Sequence, residues 1–323
     1  MVHELRVSGV FSAFKGIRQL RKLTKTIQPD VIHGWMYHGG LFALLAGTRA
    51  PKIAGIRHSL HDLEKDKKTT RAIIYLLARL SKRFKAVIFN SETSKKQHQA
   101  NGYDVSNSVF IPNGFDTNMF NAFAPQAKIE LRKSLALPEN TFAFGYVARH
   151  HPVKNHYGVL NAFAEVVKHN SNVILVLIGQ GLSSNNNTVK ETINQLDLEK
   201  AVALLDERND IPELLQTLDA YVSPSHAEAF PNTIGEAMSC GIPCIATDVG
   251  DSAAIIGDTG IVVPPNDNDA LAKAMLRMAQ MPGEERESLG KKARQRILDK
   301  YRLEVVTKQY EELYLRLSEN HSQ

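Results

Sequence analysis

Short apolar runs alternate along the chain with longer segments in which apolar residues recur every three or four positions. The runs are typical of buried strands and lie at residues 31–35, 52–56, 86–90, 108–112, 142–147, 172–179, 220–225, 243–248 and 260–265. The longer segments predict helices at residues 12–28, 67–84, 156–169, 187–196, 267–281, 284–298 and 302–317. This alternation predicts βαβ units, in which helices cover both faces of a parallel sheet.

A turn-rich segment without apolar periodicity, residues 113–127, interrupts the alternation. Turn-rich, aperiodic segments are common at domain boundaries, so we divide the chain there. The prediction is two doubly wound α/β domains, residues 1–115 and 116–300, with a cleft between them. A C-terminal helix within 301–323 is expected to pack back toward the first domain. Ligands of such sheets bind at the carboxyl ends of the strands.

Composition narrows the class of protein. Hydrophobic residues make up 43% of the chain and charged residues 23%, which is ordinary for a globular protein. No apolar run approaches the roughly 18–20 residues of a membrane span, and the first residues do not read as a signal peptide. The two cysteines, Cys240 and Cys244, are too few for a disulfide framework or a structural zinc site. These features predict a reduced, cytoplasmic protein.

The net charge of +5 hides an asymmetry between the two halves. Residues 1–115 carry 19 Lys and Arg against 7 Asp and Glu, whereas residues 116–323 carry 20 against 27. A basic half suits an anionic membrane, a phosphate-bearing substrate or nucleic acid. The predicted helix at 12–28 sets basic residues around an apolar stripe: Lys15, Arg18, Arg21, Lys22 and Lys25 around Phe14, Ile17, Leu20 and Ile27. This face either contacts membrane or is a solvated face packed on its own sheet, and the absence of interleaved aromatic residues argues against nucleic acid.

The stretch "SHAEAFPNTIGEAMSCG", residues 225–241, pairs two glutamates across a strand–loop–helix junction. Pro231 is predicted at the first helical position, so the backbone N–H groups of the following residues form a site for a phosphate or a sugar hydroxyl. Glu228 in the loop can bind polyol hydroxyls, and Glu236 in the helix can accept two hydrogen bonds from a vicinal diol such as a ribose. The alternative is a pair of solvated surface glutamates.

A second cluster follows the strand at 142–147, in "GYVARHHPVKNH". Arg149 and Lys154 have the form of a diphosphate clamp, although two ordinary loop cations would look the same. His150, His151 and His156 invite a metal-site interpretation, but no carboxylate lies nearby in the sequence, so no metal site is predicted.

Four weaker features remain. Gly179 and Gly181 follow a strand as an isolated Gly-x-Gly, which serves either a tight turn or close backbone approach. Asp267 and Asp269 form an Asp-x-Asp, which is better explained as the cap of the next helix. His58 follows the strand at 52–56, where it either contacts a sugar or is an ordinary loop histidine. Trp35 and His38 lie at another strand end.

In combination these segments resemble the retaining glycosyltransferases of family 4, which have the GT-B fold. The resemblance runs from about residue 29 to about residue 317 and rests on four segments: "IPNGFDTNMF", "GYVARHHPVKN", the run from Asp210 to Gly250, and "GIVVPPNDNDALAKAM". The Glu-x7-Glu pair, the Arg-x4-Lys pair and the "IPNGFD" hinge occur in the family's order and spacing. A narrower likeness, in the first domain, is to members encoded with bacterial surface-polysaccharide pathways.

The resemblance implies a role for each candidate residue. Glu236 would bind the nucleotide ribose and Glu228 a hydroxyl of the donor sugar, while Arg149 and Lys154 would grip the diphosphate. His58 would contact the transferred sugar, although "IRHS" departs from the commoner family pattern. The remaining donor-binding residues implied are Phe230, Pro231, Asn232, Thr233, Gly179 and Arg208, the last within the loop 206–211 that would pack on the nucleobase.

The function implied is transfer of a sugar from a nucleotide-diphosphate donor, with UDP favoured, to a glycan or lipid-linked acceptor in lipopolysaccharide or capsule synthesis. The enzyme would be of the hexosyltransferase type, with no cofactor and no metal, in the cytoplasm or at the inner face of the membrane. Two alternatives stay open: a nucleotide-sugar epimerase of the same fold and a non-catalytic nucleotide-sugar-binding subunit. The first domain also looks truncated, since only one helix and residues 5–9 precede its first strand. We therefore expect donor binding but weak transfer and a tendency to aggregate.

Overall fold

The computed structural model describes residues 5, 10–65, 67–121, 125–135, 137, 138 and 140–322. It forms two compact units, the first made of Met1–Pro112 and Thr307–Gln323 and the second of Asn113–Val306. Two predicted segments lie partly outside the described residues. These are residues 6–9, which precede the first predicted helix, and residues 122–124 of the predicted domain boundary.

The first unit contains a parallel sheet with helices on its faces. In the described residues its strands run in the order β1-β2-β3-β4 and are β1 Ile32–Trp35, β2 Lys52–Ile56, β3 Ala86–Phe89 and β4 Ser108–Phe110. The helices are α1 Val10–Ile27, α2 Met36–Leu45, α3 Lys68–Leu80 and α4 Glu92–Ala100. Single turns of 3₁₀ helix lie at Leu63–Lys65 and Ser81–Arg83. Strand β3 is buried along its whole length, as expected for a parallel sheet covered on both faces.

The second unit is a larger parallel sheet covered by helices. Its strands are β5 Phe142–Val147, β6 Val173–Ile178, β7 Val202–Leu204, β8 Ala220–Ser223, β9 Cys244–Thr247 and β10 Gly260–Val263. The helices are α5 Pro125–Ser134, α6 His156–His169, α7 Asn187–Gln195, α8 Ile211–Gln216, α9 Asn232–Ser239, α10 Ser252–Ile256, α11 Asn268–Gln280, α12 Gly283–Lys300 and α13 Leu303–Ser322. A turn of 3₁₀ helix lies at Pro152–Lys154, and α13 continues into the first unit.

The strand order of the second unit, β10-β9-β8-β5-β6-β7, is the doubly wound dinucleotide-binding order. The chain runs outward from β5 through β6 to β7, then crosses back to β8 and runs outward the other way. The order therefore reverses between β5 and β8, which pair in parallel. Open α/β sheets bind ligands outside the carboxyl ends of the strands at such a reversal.

The predicted strands all appear, and the helices differ mainly at their ends. Strand β7 and helices α2, α4, α5, α8 and α10 were not predicted. Helix α2, "MYHGGLFALL", is apolar around most of its circumference and contacts α1, α3, β1 and β2, so it shows no amphipathic period. Helix α4, "ETSKKQHQA", has almost no apolar residue to mark a period.

Both thiols lie in the core of the second unit. Cys240 and Cys244 are buried, and burial raises the pKa of Cys240 to about 12 and that of Cys244 further. A thiol that stays protonated is a poor nucleophile and a poor metal ligand, so both serve packing. Within the described residues, no helix combines the length and the apolar character needed to cross a membrane.

Candidate functional site

Three candidate residues of the second unit lie in the loops that follow β5 and β8. These two strands are the ones between which the strand order reverses. Arg149 and Lys154 follow β5, and Glu228 follows β8 in the loop that leads to α9. Because β5 and β8 are parallel neighbours, their carboxyl ends share one edge of the sheet. The fold therefore brings together two loops that are far apart in sequence.

Lys154 and Glu228 form an ion pair at this edge. Lys154 Nζ donates to Glu228 Oε1 at 2.5 Å, and Ser225 Oγ donates to the same oxygen at 2.8 Å. Both ion-pair partners are partly buried, with side chains 28% and 14% exposed. The carboxylate of Glu228 is thus held in one orientation, and its charge neutralises that of Lys154.

Hydrogen bonds to backbone carbonyl groups join the loop after β5 to the loop after β8. His226 N donates to the carbonyl of Val153 at 2.8 Å, and the Asn155 side-chain amide donates to the carbonyl of Pro224 at 3.1 Å. Asn155 has a left-handed backbone with φ of 52° and caps α6 by accepting from Gly158 N at 3.0 Å. The buried Tyr146 hydroxyl donates to the carbonyl of Lys154 at 2.8 Å. The ion pair is therefore preorganised rather than carried on free loops.

Helix α9 begins beside Glu228, and its start differs from the prediction. Pro231 is the N-cap residue with an extended backbone (φ −75°, ψ 97°), and the helix begins at Asn232. The first helical N–H groups have no partner within a helix, so those of Asn232 and Thr233 are available to a phosphate. Asn113 Nδ2 donates to Asn232 Oδ1 at 2.7 Å, which ties the "IPNGFD" segment to this helix end.

Aromatic packing holds the start of α9 in place. The Phe115 ring stacks on Phe230, with 6.2 Å between ring centroids. A Cβ atom at Gly235 would lie 2.0 Å from the Phe115 ring, so only glycine lets the ring approach the helix this closely. Phe230 is buried and Pro231 is buried, so their side chains act on a ligand through the loop shape.

Glu236 lies one turn into α9 and is half-buried. Burial raises the pKa of its carboxyl from 4.5 to about 7. None of the described residues makes a hydrogen bond or an ion pair with this carboxyl group. A partly desolvated carboxylate without an internal partner is well suited to hydroxyl donors supplied by a ligand.

The other predicted residues of this unit lie at the same edge of the sheet. Arg149 is exposed and makes no side-chain ion pair with any described residue. Gly179 has a φ of 146°, and a Cβ there would lie 2.2 Å from the carbonyl oxygen of Ala148, so glycine is needed for close approach of the loops after β5 and β6. Arg208 is exposed and pairs with Asp210, with Nη2 2.5 Å from Oδ2.

The histidines of the β5 loop do not form a metal cluster. His156 is buried in the first turn of α6 beside the Tyr146 ring, and burial lowers its pKa to about 4. His150 lies 5.5 Å from His156 between ring centroids, and His151 caps the 3₁₀ turn by accepting from Val153 N. Among the residues that the structure describes, no group of three His, Cys, Asp or Glu side chains is arranged to hold a metal ion.

The Asp-x-Asp at 267–269 is a helix cap, as predicted. Asp267 is the N-cap of α11, and its carboxylate accepts from Ala270 N at 2.8 Å. Asp269 lies in the first helical turn, where a negative charge is favourable.

In the first unit, His58 lies in the loop that follows β2. Its Nδ1 is 3.2 Å from the hydroxyl of Tyr37. Trp35 ends β1 and is 47% exposed, with the Arg57 guanidinium 4.4 Å above its ring centroid. Arg57 also donates to the Tyr310 hydroxyl of α13 at 3.0 Å, and His38 is exposed.

The basic helix α1 is only partly amphipathic in the structure. Lys15, Arg18, Lys22 and Lys25 are exposed, and Arg21 Nε donates to the carbonyl of Leu45 at 2.9 Å. Of the apolar stripe, Ile17 and Leu20 are half-buried, whereas Phe14 is 70% and Ile27 57% exposed. The helix therefore packs on its own unit along part of the stripe and presents the rest outward.

Several residues that shape these sites were not predicted from the sequence. Ser225 orients Glu228, Tyr146 anchors the Lys154 loop, and Tyr37 contacts His58. Ser225 was within reach of prediction, since it ends the predicted strand at 220–225 and immediately precedes the loop of Glu228. The others carry no local signal in the sequence.

Comparison with known proteins identifies the family. The sequence model of the family described as Glycosyl transferases group 1 matches residues 127–296, and that of Glycosyltransferase Family 4 matches residues 8–119. The Escherichia coli enzyme UDP-Gal:alpha-D-GlcNAc-diphosphoundecaprenol alpha-1,3-galactosyltransferase is 26% identical over 275 residues, which are 82% of this chain and 70% of that protein. The capsular polysaccharide biosynthesis glycosyltransferase CapM of Staphylococcus aureus is 24% identical over 95% of this chain and 82% of its own length.

A solved structure supports the same assignment at the level of the fold. Anabaena Alr3699/HepE, crystallised in complex with UDP and glucose, matches with a TM-score of 0.81 at 23% identity, over 95% of this chain and 83% of that one. The predicted α/β architecture of GT-B type, with two Rossmann-like units, is thereby confirmed. Since the group 1 model spans more than half of the chain, this protein belongs to the group 1 glycosyltransferase family and is an enzyme of the glycosyltransferase class.

Proposed function

We propose that this enzyme is a retaining glycosyltransferase that moves a sugar from a UDP-sugar to a glycan or lipid-linked acceptor in bacterial surface-polysaccharide synthesis. The observation that carries the proposal is the group formed by Lys154, Glu228, the start of α9 and Glu236 at the reversal of strand order. Relatives named for capsule synthesis and for a diphosphoundecaprenol-linked acceptor support the pathway class. Structures of a relative with UDP support the choice of base.

We assign the donor-binding domain to residues 116–300, which lie within the second unit. Glu236 accepts hydrogen bonds from the ribose diol, and the N–H groups of Asn232 and Thr233 face the distal phosphate and sugar. Arg149 and Lys154 neutralise the diphosphate, and Glu228 binds a hydroxyl of the donor sugar. Gly179 gives room for close backbone approach, Phe230 and Pro231 shape the loop, and the loop of Arg208 packs on the nucleobase.

The proposed chemistry is electrostatic. The bond between the anomeric carbon and the diphosphate oxygen breaks as negative charge develops on the leaving group. Arg149, Lys154 and the N-terminus of α9 stabilise that charge, which is the role that preorganised cations and dipoles play best. The acceptor oxygen bonds to the anomeric carbon from the same face, and its proton passes to the departing phosphate. With side-chain cations in this role, the proposal needs no metal ion or cofactor.

We assign the acceptor side to residues 1–115, nearly all of which belong to the first unit. His58 contacts the transferred sugar, and the exposed cations of α1 with Phe14 attract an anionic membrane surface at the cytoplasmic face. The positive charge of residues 1–115 supports a membrane or phosphate-bearing partner, and nucleic acid is not proposed. We assign residues 301–323 to a C-terminal helix, and its part in the first unit packs there through Tyr310, whose hydroxyl accepts from Arg57.

The test has a binding step and a transfer step. Thermal-shift measurements with UDP- and GDP-sugars should show stabilisation by one nucleotide class, with UDP expected. The nucleotide sugar that stabilises the protein is then incubated with the protein and extracted lipid-linked acceptors. The anomeric configuration of the product is determined. Transfer with retained configuration supports the proposal. If the protein binds the donor but neither transfers the sugar nor hydrolyses the donor, it is a non-catalytic subunit. If the nucleotide sugar is recovered as its epimer, the protein is an epimerase.

A further inference from the structure

The two carboxylate oxygens of Glu228 have different surroundings. Oε1 accepts two hydrogen bonds, from Lys154 Nζ at 2.5 Å and from Ser225 Oγ at 2.8 Å. Oε2 accepts a hydrogen bond from none of the residues that the structure describes, and it is accessible to solvent. Because both donors meet the same oxygen, they leave Oε2 as the oxygen that a ligand can reach.

Ser225 is itself held from the neighbouring strand β9. Thr247 ends β9, and its Oγ1 donates to the carbonyl of Ser225 at 2.6 Å and lies 3.4 Å from the carbonyl of Ser223. Strands β8 and β9 pair in parallel, so this contact joins the carboxyl ends of two adjacent strands. A series of hydrogen bonds therefore leads from Thr247 through Ser225 to the carboxylate of Glu228.

The Ser225 hydroxyl has one proton and two possible acceptors. The Tyr146 hydroxyl oxygen lies 3.3 Å from Ser225 Oγ, whereas Oε1 of Glu228 lies at 2.8 Å. Tyr146 spends its own proton on the carbonyl of Lys154, which can only accept. The carboxylate oxygen is both closer and charged, so it is the stronger acceptor for Ser225. The hydroxyl of Ser225 therefore donates to Glu228.

The loop after β9 also holds the residue that follows Glu228. Asp251 N donates to the carbonyl of Ala229 at 3.0 Å. The backbone on both sides of Glu228 is thus tied to the same loop, at Ser225 and at Ala229. Ser225 is 1% and Thr247 3% exposed, so neither side chain has surface to offer a ligand. Any effect of these two residues on a bound sugar must pass through Glu228.

We propose that Ser225 and Thr247 are positioning residues for donor recognition, which hold the carboxylate of Glu228 so that Oε2 accepts a hydrogen bond from the donor sugar. The proposal rests on the proposed function, in which Glu228 binds a hydroxyl of that sugar. It assigns sugar discrimination partly to a strand, β9, whose end lies behind the loop of Glu228 and does not touch the ligand.

The test measures how much the sugar adds to nucleotide affinity. Isothermal titration calorimetry gives the Kd of UDP and of UDP-glucose, UDP-galactose and UDP-N-acetylglucosamine. The sugar ratio is the Kd of UDP divided by the Kd of the tightest of the three UDP-sugars. Ser225→Ala should lower this ratio about fivefold and Thr247→Val about threefold, with UDP affinity unchanged. Thr247→Ser retains the hydroxyl and should stay close to the wild type.

A matched control separates positioning from the loss of any buried hydroxyl. Thr259 is 4% exposed, and its hydroxyl donates to the carbonyl of Ile256 at 2.7 Å. Thr259→Val should therefore leave the sugar ratio unchanged. A fall in Thr259→Val as large as that in Thr247→Val would overturn the role of Thr247. Unchanged UDP affinity serves as the check that each variant folds.

A double-mutant cycle tests whether Ser225 acts through the carboxylate of Glu228. When Glu228→Ala has removed the carboxylate, adding Ser225→Ala should leave the sugar ratio where it was, because nothing remains to be positioned. An equal fall with and without the carboxylate would overturn the proposal. So would a sugar ratio that Ser225→Ala does not lower in the otherwise wild-type chain.

Crystal structures of the wild type and of Ser225→Ala, both without nucleotide, keep this proposal distinct from the proposed function. The carboxylate of Glu228 should have Oε2 accessible in the wild type and should turn in Ser225→Ala. The same orientation in both would overturn the positioning role. A wild type that binds neither UDP nor any of the three UDP-sugars counts against the proposed function, while the two crystal structures still decide how Ser225 acts on Glu228.

Discussion

The carboxyl edges of the two sheets are built from different chemistry. In the second unit, the loops after β5 and β8 carry ionisable groups: an ion pair between Lys154 and Glu228, and the half-buried carboxyl of Glu236. In the first unit, the loop after β2 is held by hydrogen bonds, with Tyr37 lying between His58 and His98. The charged groups at the edge of the second unit can change partners when an anionic ligand binds. The hydrogen bonds around Tyr37 connect three elements of the first unit and hold the loop after β2 in place.

The charged groups of the proposed site do not follow the net charge of the two halves of the chain. Residues 1–115 carry an excess of 12 positive charges and residues 116–323 an excess of 7 negative charges. The proposed diphosphate site nevertheless lies in the acidic half. Net charge therefore describes what a whole surface attracts, whereas the site depends on a few oriented groups at one edge of a sheet.

The largest expected effect concerns Glu236. Its folded-state pKa of about 7 exceeds the unfolded value of 4.5, so its contribution to stability is fully present below pH 4.5 and is lost as the pH rises through about 7. Between pH 4.5 and 8, the free energy of unfolding of the wild type should fall by about 3 kcal/mol more than that of Glu236→Gln. Urea denaturation at several pH values measures this difference.

The exposed Glu191 provides the control for that experiment. Glu191→Gln should follow the wild-type pH profile. Parallel profiles for the wild type and Glu236→Gln would mean that the carboxyl of Glu236 is not desolvated by the fold.

Removing Lys154 should weaken nucleotide binding. Lys154→Ala deletes one charge-assisted contact with the diphosphate, so the affinity for UDP should fall by about 1.5–3 kcal/mol. Isothermal titration calorimetry with UDP, beside the exposed control Lys190→Ala, measures the loss. Unchanged affinity for both UDP and GDP would remove Lys154 from the diphosphate site.

A single cation of α1 should have a smaller effect, and on a different partner. Arg18→Gln should weaken binding to vesicles rich in anionic phosphatidylglycerol by about 1 kcal/mol, because each basic residue near such a surface contributes about that much. Co-sedimentation at low and high salt measures it, with Lys190→Gln as the control. If binding to vesicles is absent or independent of both Arg18 and salt, the basic face of α1 is not a membrane contact.

Glu228→Gln should leave UDP affinity within about 0.5 kcal/mol of wild type, because Lys154 loses a competitor for the diphosphate at the same time as the site loses a carboxylate. The differences in affinity between UDP-sugars should become smaller, since the sugar loses a charged hydrogen-bond acceptor. Competition titrations with several UDP-sugars measure both quantities. A loss of UDP affinity as large as that of Lys154→Ala would assign Glu228 to the nucleotide rather than the sugar.

The sequence was sufficient to predict the strands and the general position of the site. Long apolar runs such as β6 are buried over their whole length, so local pattern and tertiary position agree. The loops of Lys154 and Glu228 could be assigned to strand ends because Val147 and Ser223 end clear strands. Their pairing could not be predicted from local pattern, since the two residues are 74 positions apart and meet only through the order of the sheet.

The hydrogen bonds around Tyr37 in the first unit were harder to predict. Helix α4 carries Ser94, Gln97 and His98 in a segment almost without apolar residues, so periodicity does not reveal it. Helix α2 carries Tyr37 in a segment that is apolar on most sides, where periodicity fails for the opposite reason. Pro231 shows a finer limit, because proline is compatible with both the cap and the first helical position, and only the backbone angles distinguish the two.

The most direct measurement is a crystal structure of the chain with a bound UDP-sugar. We predict that the diphosphate lies at the N-terminus of α9 within hydrogen-bonding distance of Arg149 and Lys154, that Lys154 has left Glu228, and that the ribose hydroxyls contact Glu236. A nucleotide bound elsewhere, or bound with the Lys154–Glu228 pair intact and Glu236 without contact, would contradict the assignment of this edge as the donor site.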